Sequence, residues 1–89
     1  MNAINVIYEL EKYLLTEIKV DQNIQKESIE PDEDILSLGI IDSLGMLKLT
    51  KFIEKKFGIE ITDEDLEIDN FNNLNNLKKL IESKQQGKK

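Results

Sequence analysis

The apolar positions of the chain form three helical stripes separated by polar stretches. Ile4, Ile7, Leu10, Leu14 and Ile18 recur at spacings of three or four, which puts them on one helix face. Glu9, Lys12, Glu17 and Lys19 lie off that stripe, and the pattern predicts a helix from about Ala3 to Ile18. Leu44, Leu47, Ile53 and Phe57, broadened by Leu49 and Phe52, predict a second helix from about Ser43 to Phe57. Asp42 and Ser43 both suit its start. Gly58 stands where such a helix ends, just after Lys55 and Lys56 in the last turn. Leu74, Leu77, Leu80 and Ile81 form a third stripe, with Asn73 as its cap.

The connections carry their own signals. Glu30 precedes Pro31, so it should be extended, and Pro31 can open a short turn. Ile35, Leu36, Leu38, Ile40 and Ile41 are too apolar for a free linker and must fold back onto the core. Ile59-Glu60-Ile61 alternates but is too short, and too isolated, for a strand. Thr62 should cap a short helix around Asp63 to Leu66, with acids in its first turn. Asp69-Asn70 reads as a break and Phe71 as buried. Ser83 to Lys89 has no apolar anchor and is expected to be a disordered tail. The fold predicted is all-α: three longer helices, one short helix and a long first loop, in one domain over residues 1–82.

Composition narrows the chemistry. The 89 residues include no Cys and no His. A thiol nucleophile, a disulfide and the usual imidazole base or zinc ligand are therefore absent. Serine and cysteine catalysis of the His-assisted kind cannot be assembled from this chain. Eighteen acids against 12 bases give a net charge of −6, which argues against nucleic acid as the main partner. All the bases are Lys, so bidentate clamping of phosphate is not available. A calcium loop also fails on spacing. Counted from Asp32 its fifth and sixth positions are Leu36 and Ser37; from Asp63 its sixth and twelfth are Ile68 and Leu74. No metal site is expected. No apolar run approaches the roughly 18 residues of a membrane span. The opening MNAINVIYELEK has no basic region ahead of an apolar one, so a signal peptide is not expected and cytoplasm is the predicted location.

The most informative segment is Leu38-Gly39-Ile40-Ile41-Asp42-Ser43-Leu44. An apolar stretch ends at an acid and a hydroxyl, and an amphipathic helix begins there. A serine at a helix start usually serves as its cap. If the Ser43 hydroxyl is instead left outward, a phosphodiester on it would face free N–H groups and the positive end of the helix dipole. Ser28 and Ser37 lie ahead of the helix, and Ser83 sits near a helix C-terminus, where phosphate is disfavoured.

Gly39-x-x-Asp42-Ser43-Leu44 resembles the phosphopantetheine attachment motif of acyl carrier proteins, of the stand-alone type. Ile29-x-Pro31-x-x-Asp34-x-Leu36-x-x-Gly39 precedes it at the family's spacing. Phe57-Gly58-Ile59-x-Ile61 and Phe71-x-Asn73-Leu74-x-x-Leu77 follow in the family's order, and the likeness runs from about Ile4 to Ile81. The resemblance implies a four-helix bundle. It implies that Ser43, flanked by Asp42 and Leu44, bears a covalent 4'-phosphopantetheine taken from coenzyme A by a magnesium-dependent phosphopantetheinyl transferase. The arm ends in a thiol that carries acyl groups as thioesters between a loading enzyme and downstream synthases or transferases. The carrier itself does no chemistry, and a monomer is the expected state.

Two departures from the family pattern stand out. Fatty-acid carriers of the family have an acidic second helix, whereas this one carries Lys48, Lys51, Lys55 and Lys56 with Glu54 its only acid. Lys48 and Lys51 are the expected docking residues nearest the arm. The Gly39-Ile40-Ile41-Asp42-Ser43-Leu44-Gly45 spelling also resembles carriers of polyketide, peptide or D-alanine systems, so an aminoacyl, D-alanyl or peptidyl cargo stays open. An unmodified helical interaction module, with Ser43 as a plain cap, is the alternative of another class.

Overall fold

The computed structural model describes residues 5–18, 28–37, 39 and 41–87. The positions read from sequence at Ala3, Ile4, Lys19, Leu38 and Ile40 lie outside these. Helix α1 spans Val6–Tyr13 and passes into a π-helical segment, Leu14–Ile18. Helix α2 spans Ser43–Phe57, a 3₁₀ turn covers Asp63–Asp65, α3 is the single turn Ile68–Phe71, and α4 spans Leu74–Gly87. Three longer helices and one short one make an all-helical bundle, and no strand occurs among the described residues.

Helix α1 starts at Val6 rather than Ala3, because the Asn5 side chain caps it: its Oδ1 accepts from Tyr8 N at 3.0 Å. The buried residues are Val6, Leu10, Leu14 and Ile18, while Ile7 is only half-buried. A strict four-residue repeat drifts by about 40° per step around a 3.6-residue helix. The wider π turns correct that drift and keep Leu14 and Ile18 inward. The Thr16 hydroxyl donates to the Lys12 carbonyl at 2.7 Å, a back-bond of the kind that bends helices.

Helix α2 buries Gly45, Leu49, Ile53 and Phe57, again at four-residue intervals. Here the structure corrects the sequence reading. Leu44 and Leu47 point to solvent, 58% and 53% exposed. The chain offers α2 more apolar positions than one face can hold. Leu47 lies about 200° from Leu49 at 100° per residue, so one of the two must face out. Phe52 is half-buried and stacks on Tyr13, ring centroids 4.2 Å apart. The helix stops at Gly58, whose φ of 66° is left-handed and favours glycine.

The described part of the long connection is built into the core. Ile29, Ile35 and Ile41 are buried. The Ile29 amide donates to Glu11 Oε2 at 2.9 Å, tying the connection to α1. Ile35 N donates to the Asn72 carbonyl at 2.8 Å, and Asn75 N to the Pro31 carbonyl at 3.0 Å. Those two bonds hold it against the α3–α4 junction. Beyond α2, Ile59 and Ile61 are buried on either side of exposed Glu60.

Thr62 caps the 3₁₀ turn in a reciprocal capping box with Asp65. The expected break at Asp69-Asn70 is replaced by α3: Phe71 is fully buried and pulls one helical turn into the bundle. Asn73 caps α4, its Oδ1 accepting from Asn76 N at 2.8 Å. The tail expected from Ser83 is instead helical to Gly87. Its polar anchor is Lys84, whose Nζ lies 2.6 Å from Asp65 Oδ2. Apolar patterning alone could not reveal that contact.

The rotation of α2 can be checked by mutation. Leu49→Ala should cost about 2–5 kcal/mol, the range for truncating a buried leucine. Leu47→Ala should stay within about 0.5 kcal/mol, as exposed substitutions do. Urea unfolding of the two variants is the measurement, and the reverse order would put the wrong face of α2 inward.

Candidate functional site

The start of α2 divides two tasks between neighbouring side chains. Asp42 is extended, with φ −114° and ψ −168°, and is the cap. Its Oδ1 accepts from Gly45 N at 2.8 Å, and its carbonyl accepts from Met46 N at 2.7 Å. Ser43 is therefore the first helical residue and not the cap. It is exposed, and its hydroxyl makes no hydrogen bond among the described residues. The oxygen stands at the N-terminus of a 15-residue helix, where aligned peptide dipoles favour negative charge.

Gly45 makes this geometry possible. A Cβ added there would lie 2.9 Å from Ile41 Cγ1, 3.3 Å from Asp42 Oδ1 and 3.6 Å from Ile18 Cγ2. The bare backbone lets Ile41 pack directly on the first turn of α2, while the same residue's N–H holds the Asp42 carboxylate. Loop, cap and helix start are thus locked at one glycine.

Beside Ser43 lies a mainly apolar cleft of about 530 Å³, lined by Leu36, Ile41, Asp42, Ser43, Met46 and Ile68. Ile68, on α3, is 72% exposed. Met46 lines the cleft, while its neighbour Leu47 points to solvent. Ile68 is an addition to the site, and it stands three residues before Phe71 in the spacing that Leu74 and Leu77 continue. Leu36 is placed by Asp34, whose Oδ1 accepts from Leu36 N at 3.2 Å and Ser37 N at 3.0 Å. Asp34 Oδ2 accepts from the Ser37 hydroxyl at 2.9 Å. The Ser37 amide, then its hydroxyl, holds the Asp34 carboxyl below the usual carboxylate range.

Of the residues expected to meet partners, Lys51 is exposed, but Lys48 is half-buried rather than exposed. Glu54, the one acid of α2, turns away and accepts from Ile61 N at 2.8 Å. No group of three or more acids among the described residues could hold a metal ion.

Residues 12–81 match the family model described as phosphopantetheine attachment site. That is most of the chain, and the protein belongs to this family of phosphopantetheine carriers. The group the family carries is 4'-phosphopantetheine, covalently attached. The start of α2 fits it: an exposed hydroxyl free of the capping role, positive helix potential for a phosphodiester, and an apolar cleft alongside. Carriers of this family are generally not catalysts and work with a phosphopantetheinyl transferase and biosynthetic enzymes. No helix among the described residues is long and apolar enough to cross a membrane.

Gly45→Ala should destabilise the fold by about 1–3 kcal/mol through overpacking, and the Asp42–Gly45 hydrogen bond should weaken with it. Thermal unfolding and the shift of the Gly45-position amide in NMR spectra report the two effects. For Asp34, folding lowers the carboxyl pKa, so its contribution is present above the unfolded value and is lost as pH falls through the folded one. The Leu36 and Ser37 amides should accordingly titrate below the pH of an ordinary aspartate. A midpoint at or above the ordinary value would mean that the turn does not hold the ionised form.

Proposed function

We propose that Ser43 is the attachment residue, and that the protein carries acyl intermediates as thioesters for fatty-acid-like, polyketide or related biosynthesis. The observation that supports this best is the division of labour at the start of α2. Asp42 does the capping, so Ser43 has no structural duty to lose. In the transfer, Ser43 Oγ bonds to the phosphorus that carries the pantetheine in coenzyme A. The phosphoanhydride bond of coenzyme A breaks, the adenosine phosphate portion leaves, and the hydroxyl proton passes to solvent or a transferase base. The first-turn N–H groups and the dipole of α2 favour the resulting anionic diester. Asp42 fixes the direction of the helix start. Leu44, exposed beside Ser43, offers an incoming enzyme an apolar contact, and Lys48 and Lys51 are proposed docking residues further along the helix. The attached arm supplies the thiol that the sequence lacks.

The test is intact mass after incubation with coenzyme A, magnesium and a broad-specificity phosphopantetheinyl transferase. The native chain should gain the mass of one arm and Ser43→Ala none. Because Ser43 is not the cap, Ser43→Ala should change stability by less than about 0.5 kcal/mol. An arm on the Ser43→Ala variant, or none on the native chain, would sink the assignment.

A further inference from the structure

Helix α1 changes register as it nears the start of α2. Val6, Leu10, Leu14 and Ile18 are all buried, four residues apart. In an unbroken α-helix three such steps would carry Ile18 about 120° round from Val6, beyond an apolar stripe about 100° wide. The π-helical segment Leu14–Ile18 takes up that rotation. Segments of this kind are rare and are frequent at functional sites. The Thr16 hydroxyl donates to the Lys12 carbonyl at 2.7 Å, and the Tyr13 carbonyl is 3.5 Å away. A threonine back-bond bends a helix, and this one bridges the junction between the two registers. The Thr16 residue itself is exposed, so core packing does not call for it.

Ile18, at the end of the π segment, is brought against the first turn of α2. Its Cγ2 lies 3.6 Å from the point where a Cβ on Gly45 would stand. Gly45 is thus held from two elements, by Ile41 of the connection and by Ile18 of α1. The Gly45 N–H in turn holds the Asp42 carboxylate, the cap that leaves the Ser43 hydroxyl outward. Resting on the reading of Ser43 as the attachment point, we propose that Ile18 and Thr16 are positioning residues for transfer of the arm. The Thr16 back-bond fixes the π register. That register sets the Cγ2 methyl of Ile18 against Gly45, and the seated first turn presents the Ser43 hydroxyl in the reactive direction. Burial alone accounts for an apolar side chain at position 18, but it makes no demand for a β-branch facing Gly45.

The experiment is single-turnover transfer of the arm, with coenzyme A, magnesium and a broad-specificity phosphopantetheinyl transferase in excess over the chain. Product release then does not enter the rate. A variant that is only less stable needs more transferase for half-saturation but reaches the native maximal rate, because binding draws it into the folded state. A misdirected hydroxyl lowers the maximal rate itself, since small misplacements act on the chemical step. Ile18→Val keeps the methyl that faces Gly45 and loses volume; Ile18→Leu keeps the volume and loses that methyl. The maximal rate should be near native for Ile18→Val and lower by on the order of three- to tenfold for Ile18→Leu, within the hundredfold that a 1 Å misplacement can cost. This order should hold whichever of the two unfolds at the lower temperature. Thr16→Val should show the same fall and Thr16→Ser, which keeps the hydroxyl, should not. The Gly45 amide should shift in NMR spectra of Ile18→Leu and Thr16→Val. Maximal rates that are equal across the four variants, or that follow their thermal stability, overturn the positioning role alone. A native chain that takes no arm overturns the carrier reading and this inference with it.

Discussion

The bundle depends on how the connection between α1 and α2 is held down. Ile29, Ile35 and Ile41 fall six residues apart, and each is almost fully buried. Burying an isoleucine side chain stabilises by about 1.5–3 kcal/mol, which offsets part of the entropy of ordering the described residues around it. Polar ties fix where two of them enter, Glu11 for Ile29 and the Asn72 carbonyl for Ile35, while Ile41 packs on the open first turn of α2. The described residues of the connection, 28–37, 39 and 41–42, behave as a packed segment rather than a linker. It also delivers Asp42 to the helix start with its carboxylate already aimed at Gly45 N. The exposure of Ser43 follows from that packing.

Helix α2 shows how one element can serve a core and a surface without compromise. Its inward row is small, then large: Gly45, Leu49, Ile53, Phe57. The small end meets the incoming loop, and Leu49 and Ile53 behind it are fully buried. Its outward row is left to chemistry that packing does not constrain. A side chain at the glycine under Ile41 would press on both Ile41 and the Asp42 carboxylate.

Much of this was legible in the chain. Stripes at three- and four-residue spacing indicate the helices, Gly58 and Asn73 mark two boundaries, and Thr62 with the acids behind it marks the capped turn. Apolar type alone predicts Leu47 inward, and nothing in sequence says that Gly45, with no side chain, belongs to the buried row. Ser83 to Gly87 was read as loose because the anchor is an ion pair to Asp65, a long-range contact without periodicity. The cleft beside Ser43 could be only half anticipated. Met46 follows from helix geometry once the rotation is known, but Ile68 arrives from a turn whose position depends on burying Phe71 three residues later.

Lys84 gives the far end of the chain a say in the shape of the site. Its ammonium meets the same Asp65 oxygen that accepts from the Thr62 amide and hydroxyl. The Asp65 carbonyl in turn accepts from Asn70 in α3, the helix that carries Ile68 to the cleft wall. Anything spliced onto the protein after Ser83 would therefore cut a tie that reaches, through three residues, to the neighbourhood of Ser43. A tether placed beyond Gly87 would leave it whole, so the choice of fusion joint is also a choice about the carrier's mouth.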